Sequence, residues 1–151
     1  MARFKFQLQS FLNLKKQLEK NIKNELGIAI QRYQHELTVL SEIRQEKESQ
    51  HEEFRKEGMT ATTAFRLKER LQYIKVMENK ERVQVDRVNE EKENVDKIRK
   101  RLIEIMKEKK ILEKLRERKL TEFRKEQEKK QQLIVDEIVC FNETVTPQNK
   151  P

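Results

Sequence analysis

Glycine and proline are nearly missing from this chain. It has two of each in 151 residues, and tryptophan is absent. Both prolines, Pro147 and Pro151, fall in the last five positions, so nothing upstream is barred from a helix by a lost N–H. A compact domain of this length would need more turn-formers and about half its residues apolar; here 34% are hydrophobic and 41% charged. A phosphate-cradling loop needs several glycines together, and Gly27 and Gly58 lie far apart, which excludes a nucleotide-hydrolysing subunit acting alone. No run approaches the ~18 consecutive apolar residues of a membrane span. The opening MARFKFQLQSFLNLKKQLE has no unbroken apolar region or small-residue cleavage site, so it does not read as a secretory signal. The single cysteine, Cys140, has no internal disulfide partner, which fits a cytoplasmic protein. His35 and His51 lack the i, i+4 spacing of a helical metal pair, and no cofactor or metal is expected. No carboxylate pair sits in an apolar setting that would tune an acid and a base. The chain does not read as an enzyme.

What is abundant is helix-forming: Glu, Lys, Arg, Gln and Leu, with apolar residues at helical spacing. Along the first arm Phe11, Leu14, Leu18, Ile22, Leu26, Ala29, Tyr33, Leu37, Leu40 and Ile43 step by 3 or 4. The three steps of 4 from Leu14 to Leu26 predict a locally relaxed supercoil. The second arm runs Leu67, Leu71, Ile74, Met77, Val85, Val88, Val95, Ile98, Leu102, Ile105, then Leu112, Leu115, Phe123, Leu133 and Ile134, interrupted by Glu81, Lys92, Lys109 and Lys119. Each arm is one coiled-coil seam.

Between the arms the charge thins at EEFRKEGMTATTAFRL, residues 52–67. Arg55 and Lys56 suit a helix C-terminus, and Gly58 suits the left-handed position just past it. Thr60, Thr62 and Thr63 offer N-caps for a new helix. The alternative is a single continuous helix tolerating Gly58. Joint stop and start signals favour an all-α antiparallel coiled-coil hairpin spanning 1–141. Its helices are expected at about 4–56 and 62–141, the second the longer, with the turn near 57–61 around Gly58 and a disordered tail over 142–151.

The net charge of +8 is uneven. Residues 97–130 hold 15 Lys/Arg and 7 Asp/Glu, a balance of +8, which leaves 20 of each sign elsewhere. The unequal arms predict that this basic stretch outruns its partner helix. Such a stretch is either a solvated face or a docking surface for an acidic partner. Nucleic acid is a weaker match, because only Phe123 interleaves an aromatic there.

The opening FKFQLQSFLNLKKQLEKNIKNELGIAIQRY resembles the flagellar export FliJ family. The likeness rests on Phe4, Phe6, Leu8, Phe11, Leu12, Leu14, Glu19, Glu25, Leu26 and Ala29. The stretch GMTATTAFRLKERLQYIKVME is similar to that family's turn and second-helix start. The resemblance implies a non-enzymatic stalk, similar to the shaft of a rotary ATPase. It would bind and stimulate the hexameric flagellar export ATPase and link it to the membrane export gate during flagellum assembly, contacting export chaperones as well. It would sit on the cytoplasmic face of the membrane at the flagellar base, with no nucleic acid bound and no membrane insertion. The expected ATPase contacts are Phe4, Phe6, Phe11, Arg99, Lys100, Arg101, Arg116 and Arg118. Leu40, Ile43, Tyr73 and Met77 match the places of gate-contacting side chains and are expected as an exposed apolar set. Lys47 departs from the aromatic found there in some members. A generic cytoplasmic coiled-coil adaptor, or a nucleic-acid-associated basic coiled coil, is the alternative.

Overall fold

The computed structural model describes residues 2–60 and 63–145. Two helices follow one another, α1 (Gln9–Met59, 51 residues) and α2 (Ala64–Val145, 82 residues). They pack on each other as an antiparallel hairpin with the second helix longer. Two compact units divide the contacts: residues 19–104, and residues 1–18 with 105–151.

In the unit 19–104, buried or half-buried positions on α1 fall at 19, 22, 26, 29, 33, 36, 40, 43, 47, 50, 54 and 57. On α2 they fall at 67, 70, 74, 77, 81, 84, 88, 91, 95, 98 and 102. Both series alternate steps of 3 and 4 without a break, which is a strict heptad. Eight apolar side chains are fully buried in this unit: Ile22, Ala29, Leu40, Ile74, Met77, Val88, Val95 and Ile98. Each large one contributes about 1.5–3 kcal/mol, so the seam is narrow and its polar positions matter.

Those polar positions are bonded across the seam, and they show the antiparallel direction. As the α1 member falls from Glu57 to Lys47, Glu36 and Glu25, its α2 partner rises from Arg70 to Glu81, Gln84 and Arg101. Gln84, almost fully buried, donates to the Glu36 carbonyl at 3.0 Å and to the Glu36 carboxylate. A buried polar pair of this kind penalises any slipped register that would leave either group unpaired. Among the described residues, one buried side-chain oxygen has no partner, Oε2 of Glu91.

The other unit is built on a shorter seam. Leu12 is the most deeply buried side chain, and Lys15 turns inward beside it to meet Glu108 at 2.5 Å. On α2 the half-buried line runs through 105, 109, 112, 115–116, 120, 123 and 127.

Several expectations need correction. The relaxed run does not form: Leu14 is exposed, and Lys15 and Glu19 take inward positions, because their charges are met by Glu108 and Lys23. Leu71 is likewise exposed, and Arg70 takes its place. Gly58 is not left-handed; no glycine has positive φ, and Gly58 lies within the last turn of α1, which ends at Met59. Thr60 bonds backwards to the Glu57 carbonyl at 3.2 Å, so it closes α1 and does not open α2. Thr63 precedes α2 directly and its carbonyl accepts the first helical bond, from Leu67 N. Thr62 lies outside the described residues. At the far end α2 runs through Val145, so the helix takes in four residues expected in the tail; 146–151 are outside the described set.

Candidate functional site

Helix α1 starts at Gln9, not near residue 4. The stretch Phe4-Lys5-Phe6-Gln7-Leu8 alternates apolar and polar with a period of 2, which suits an extended segment better than a helix. It lies along α2 as a strap. The Phe4 ring packs on Phe123, centroids 5.6 Å apart and tilted by 53°. The Arg116 guanidinium lies over the other side of Phe4, 5.7 Å from its centroid, while its Nε donates to Gln9 Oε1 at 3.0 Å. Strap and helix enclose a groove of about 490 Å³, lined by Phe4, Phe6, Leu8, Leu115 and Phe123, with Arg3, Lys5 and Lys119 at its edge.

Of the residues expected to meet an ATPase, the structure therefore brings Phe4 and Arg116 together and gives them to each other. Phe6 is half-buried in the groove. Phe11 and Arg118 are exposed in the same unit. Arg99, Lys100 and Arg101 belong to the unit 19–104, are exposed, and Arg101 reaches Glu25 at 3.4 Å.

The basic stretch is not an overhang. Within 97–130, Ile98, Leu102, Ile105, Leu112, Phe123 and Gln127 are buried or half-buried, and Lys15, Gln9 and Phe4 reach α2 at Glu108, Arg116 and Phe123. Its lysines and arginines stand on the outer faces of a paired helix. The unpaired end begins only at 128, after which every described position is exposed.

The turn-side set also divides. Leu40 and Met77 are core residues, 6% and 4% exposed, because they occupy seam positions. Tyr73 is exposed and Ile43 half-buried. Ile43 instead shares a shallow groove with Val39, Val76 and Val83, and Val76 and Val83 are each 49% exposed. The apolar-stripe reading missed both valines because they lie one step off the seam. Their signal was the spacing of 7 between them, which puts them on one face.

Two carboxylates anchor this unit electrostatically. Glu81 accepts from Lys47 Nζ at 2.5 Å and from Arg44 Nε at 3.1 Å, and these bonds, Lys47 first, hold it below its ordinary value. Glu57 takes a two-pronged bond from Arg70, at 3.0 and 2.5 Å, which lowers its pKa and raises that of Arg70. A third Arg70 nitrogen donates to Gln50 at 2.6 Å. These are structural clasps near the turn, with no substrate-sized cavity of matching chemistry beside them.

A family model for the flagellar FliJ protein matches residues 4–142, nearly the whole chain. The chain belongs to the FliJ family. No curated protein and no solved structure matches it. The family is a non-catalytic, coiled-coil part of the flagellar export apparatus, and the matched span takes in the strap, both helices and most of the unpaired end of α2. Among the described residues no helix is long and apolar enough to cross a membrane.

Proposed function

We propose that this chain is the coupling stalk of a flagellar protein export apparatus. It binds the hexameric export ATPase, raises its turnover, and connects it to the export gate at the cytoplasmic face of the flagellar base. The FliJ-family match over residues 4–142 carries this reading. Two surface features support it. The positive charge is concentrated in 97–130 and faces outward, where many like charges act on one field. The groove formed by Val39, Ile43, Val76 and Val83 offers an apolar contact for the gate, with Tyr73 exposed on the same helix. Phe11, Arg99, Lys100 and Arg118 are the ATPase contacts this reading keeps as exposed side chains; Phe4, Phe6, Arg101 and Arg116 act from behind them, by holding the backbone in place. Chaperones of export substrates are further partners under the same reading.

Charge reversal tests it. A chain with Arg99, Lys100 and Arg118 all changed to Glu should bind the ATPase ring at least tenfold more weakly at 0.1 M salt, with its circular-dichroism helix signal unchanged. Wild-type binding should fall as salt shortens the Debye length from ~10 Å to ~3 Å. Equal binding by the reversed chain would make the basic stretch a solvated face, since isolated surface pairs are worth only about 0–1 kcal/mol.

A further inference from the structure

The end of α2 has the composition of a docking helix. Residues 131–145 contain Asp136, Glu137 and Glu143 and no lysine or arginine, directly after the most basic part of the chain. Ile134, Ile138, Phe141 and Val145 step by 4, 3 and 4 and so form one stripe. Each is more than half exposed, from 55% to 66%. Four helical turns with such a stripe in water are the mark of an interaction surface.

The same unit carries the complement. Phe11 and Leu14 on α1 and Ile111 on α2 are also more than half exposed. Phe11 and Leu14 flank the inward pair Leu12 and Lys15, and Ile111 flanks the inward Leu112, each on the side of its helix that an antiparallel pairing places on a common face. Lys107, Lys114 and Arg118 stand at i−4, i+3 and i+7 from Ile111, so they rim that face with positive charge. An acidic helix with an apolar stripe and an apolar face with a basic rim thus occur on one chain. They cannot meet within it. Ile111 and Ile138 belong to one unbroken helix, and 27 residues of it span roughly 40 Å.

We propose that the 131–145 end of α2 docks on the Phe11, Leu14 and Ile111 face of a second copy, each copy giving one end and receiving the other in a closed two-fold dimer. Reciprocal contact is the arrangement that leaves neither surface open for further growth. Phe11 also belongs to the surface assigned above to the ATPase, so the dimer covers part of that surface. The pairing does not rest on the ATPase reading, and its test uses the chain alone.

Sedimentation equilibrium of the full chain at roughly 50 μM, well above the micromolar range of transient pairs, should show a dimer. Ile138→Asp with Phe141→Asp should give a monomer, and so should Phe11→Asp with Ile111→Asp, both with unchanged helix content because all four positions are exposed. Mixing the two variants should restore partial association, since the first keeps an intact face and the second an intact end. A monomeric wild type would overturn the proposal and leave the stripe to a chain of another kind. A dimer that survives Phe11→Asp with Ile111→Asp would overturn it too, because the stripes would then be pairing with each other.

Discussion

Gly58 shows at the level of one residue how a local signal misleads. A glycine after two basic residues matches a helix end, yet it has ordinary helical φ, and a Cβ built on it meets nothing within 4 Å. The stop comes one residue later, where the Thr60 hydroxyl ties back to Glu57. Gly58→Ala should therefore raise stability, by up to about 1 kcal/mol, read as a higher urea midpoint; a lower midpoint would mean a left-handed Gly58 after all. The carboxylates give a second residue-scale prediction. Glu57 and Glu81 are held below their ordinary value of 4.5 by Arg70 and by Lys47 with Arg44. A lowered folded pKa means the folded chain holds these protons less tightly than the unfolded one. Their contribution is complete above pH 4.5 and is lost as pH falls through the folded values. The urea midpoint should stay flat down to that point and then drop, and Glu57→Gln with Glu81→Gln should make the acid drop shallower. An equally steep drop in that variant would assign the acid sensitivity to other groups.

At the level of the elements, the existence and order of the two helices were legible because apolar steps of 3 and 4 run through both arms. The register was not. Counting apolar residues alone led to Leu14 and Leu71, while the inward positions belong to Lys15 and Arg70, which only become tolerable once Glu108 and Glu57 face them. That information lies in the pairing of distant segments and not in either one. The strap was missed for a different reason: its Phe-x-Phe-x-Leu alternation was read as the first turn of a helix, although period 2 favours extended chain. Its hold on α2 is measurable. Phe4→Ala removes a tilted aromatic pair and a cation–π contact, about 0.5–1.5 and 0.5–1 kcal/mol in exposed settings. Hydrogen exchange should quicken in 115–127 and be unchanged in the seam of 19–104. Faster exchange in both would mean that the strap supports more than its own unit.

For the molecule as a whole, charge and pairing must be read together. The basic stretch was expected to outrun its partner from the arm lengths, but a strap that continues past the start of α1 carries the pairing to Phe123 and Gln127. The part left over is acidic and apolar. The export assignment itself was visible early, in the opening motif and the turn, and the FliJ-family match over 4–142 agrees with it. The gate-side residues were only half legible, since Leu40 and Met77 were chosen by apolarity, the same property that buries them in the seam.

The central claim is that a chain without catalytic machinery of its own raises the output of a partner ATPase. The direct measurement is steady-state ATP turnover by the purified flagellar export ATPase, with its ring assembly followed by light scattering, as this chain is added. Turnover and the hexamer fraction should both rise and saturate as the chain reaches micromolar concentrations, the range of transient contacts. Neither changing, at concentrations tenfold higher, would contradict the account.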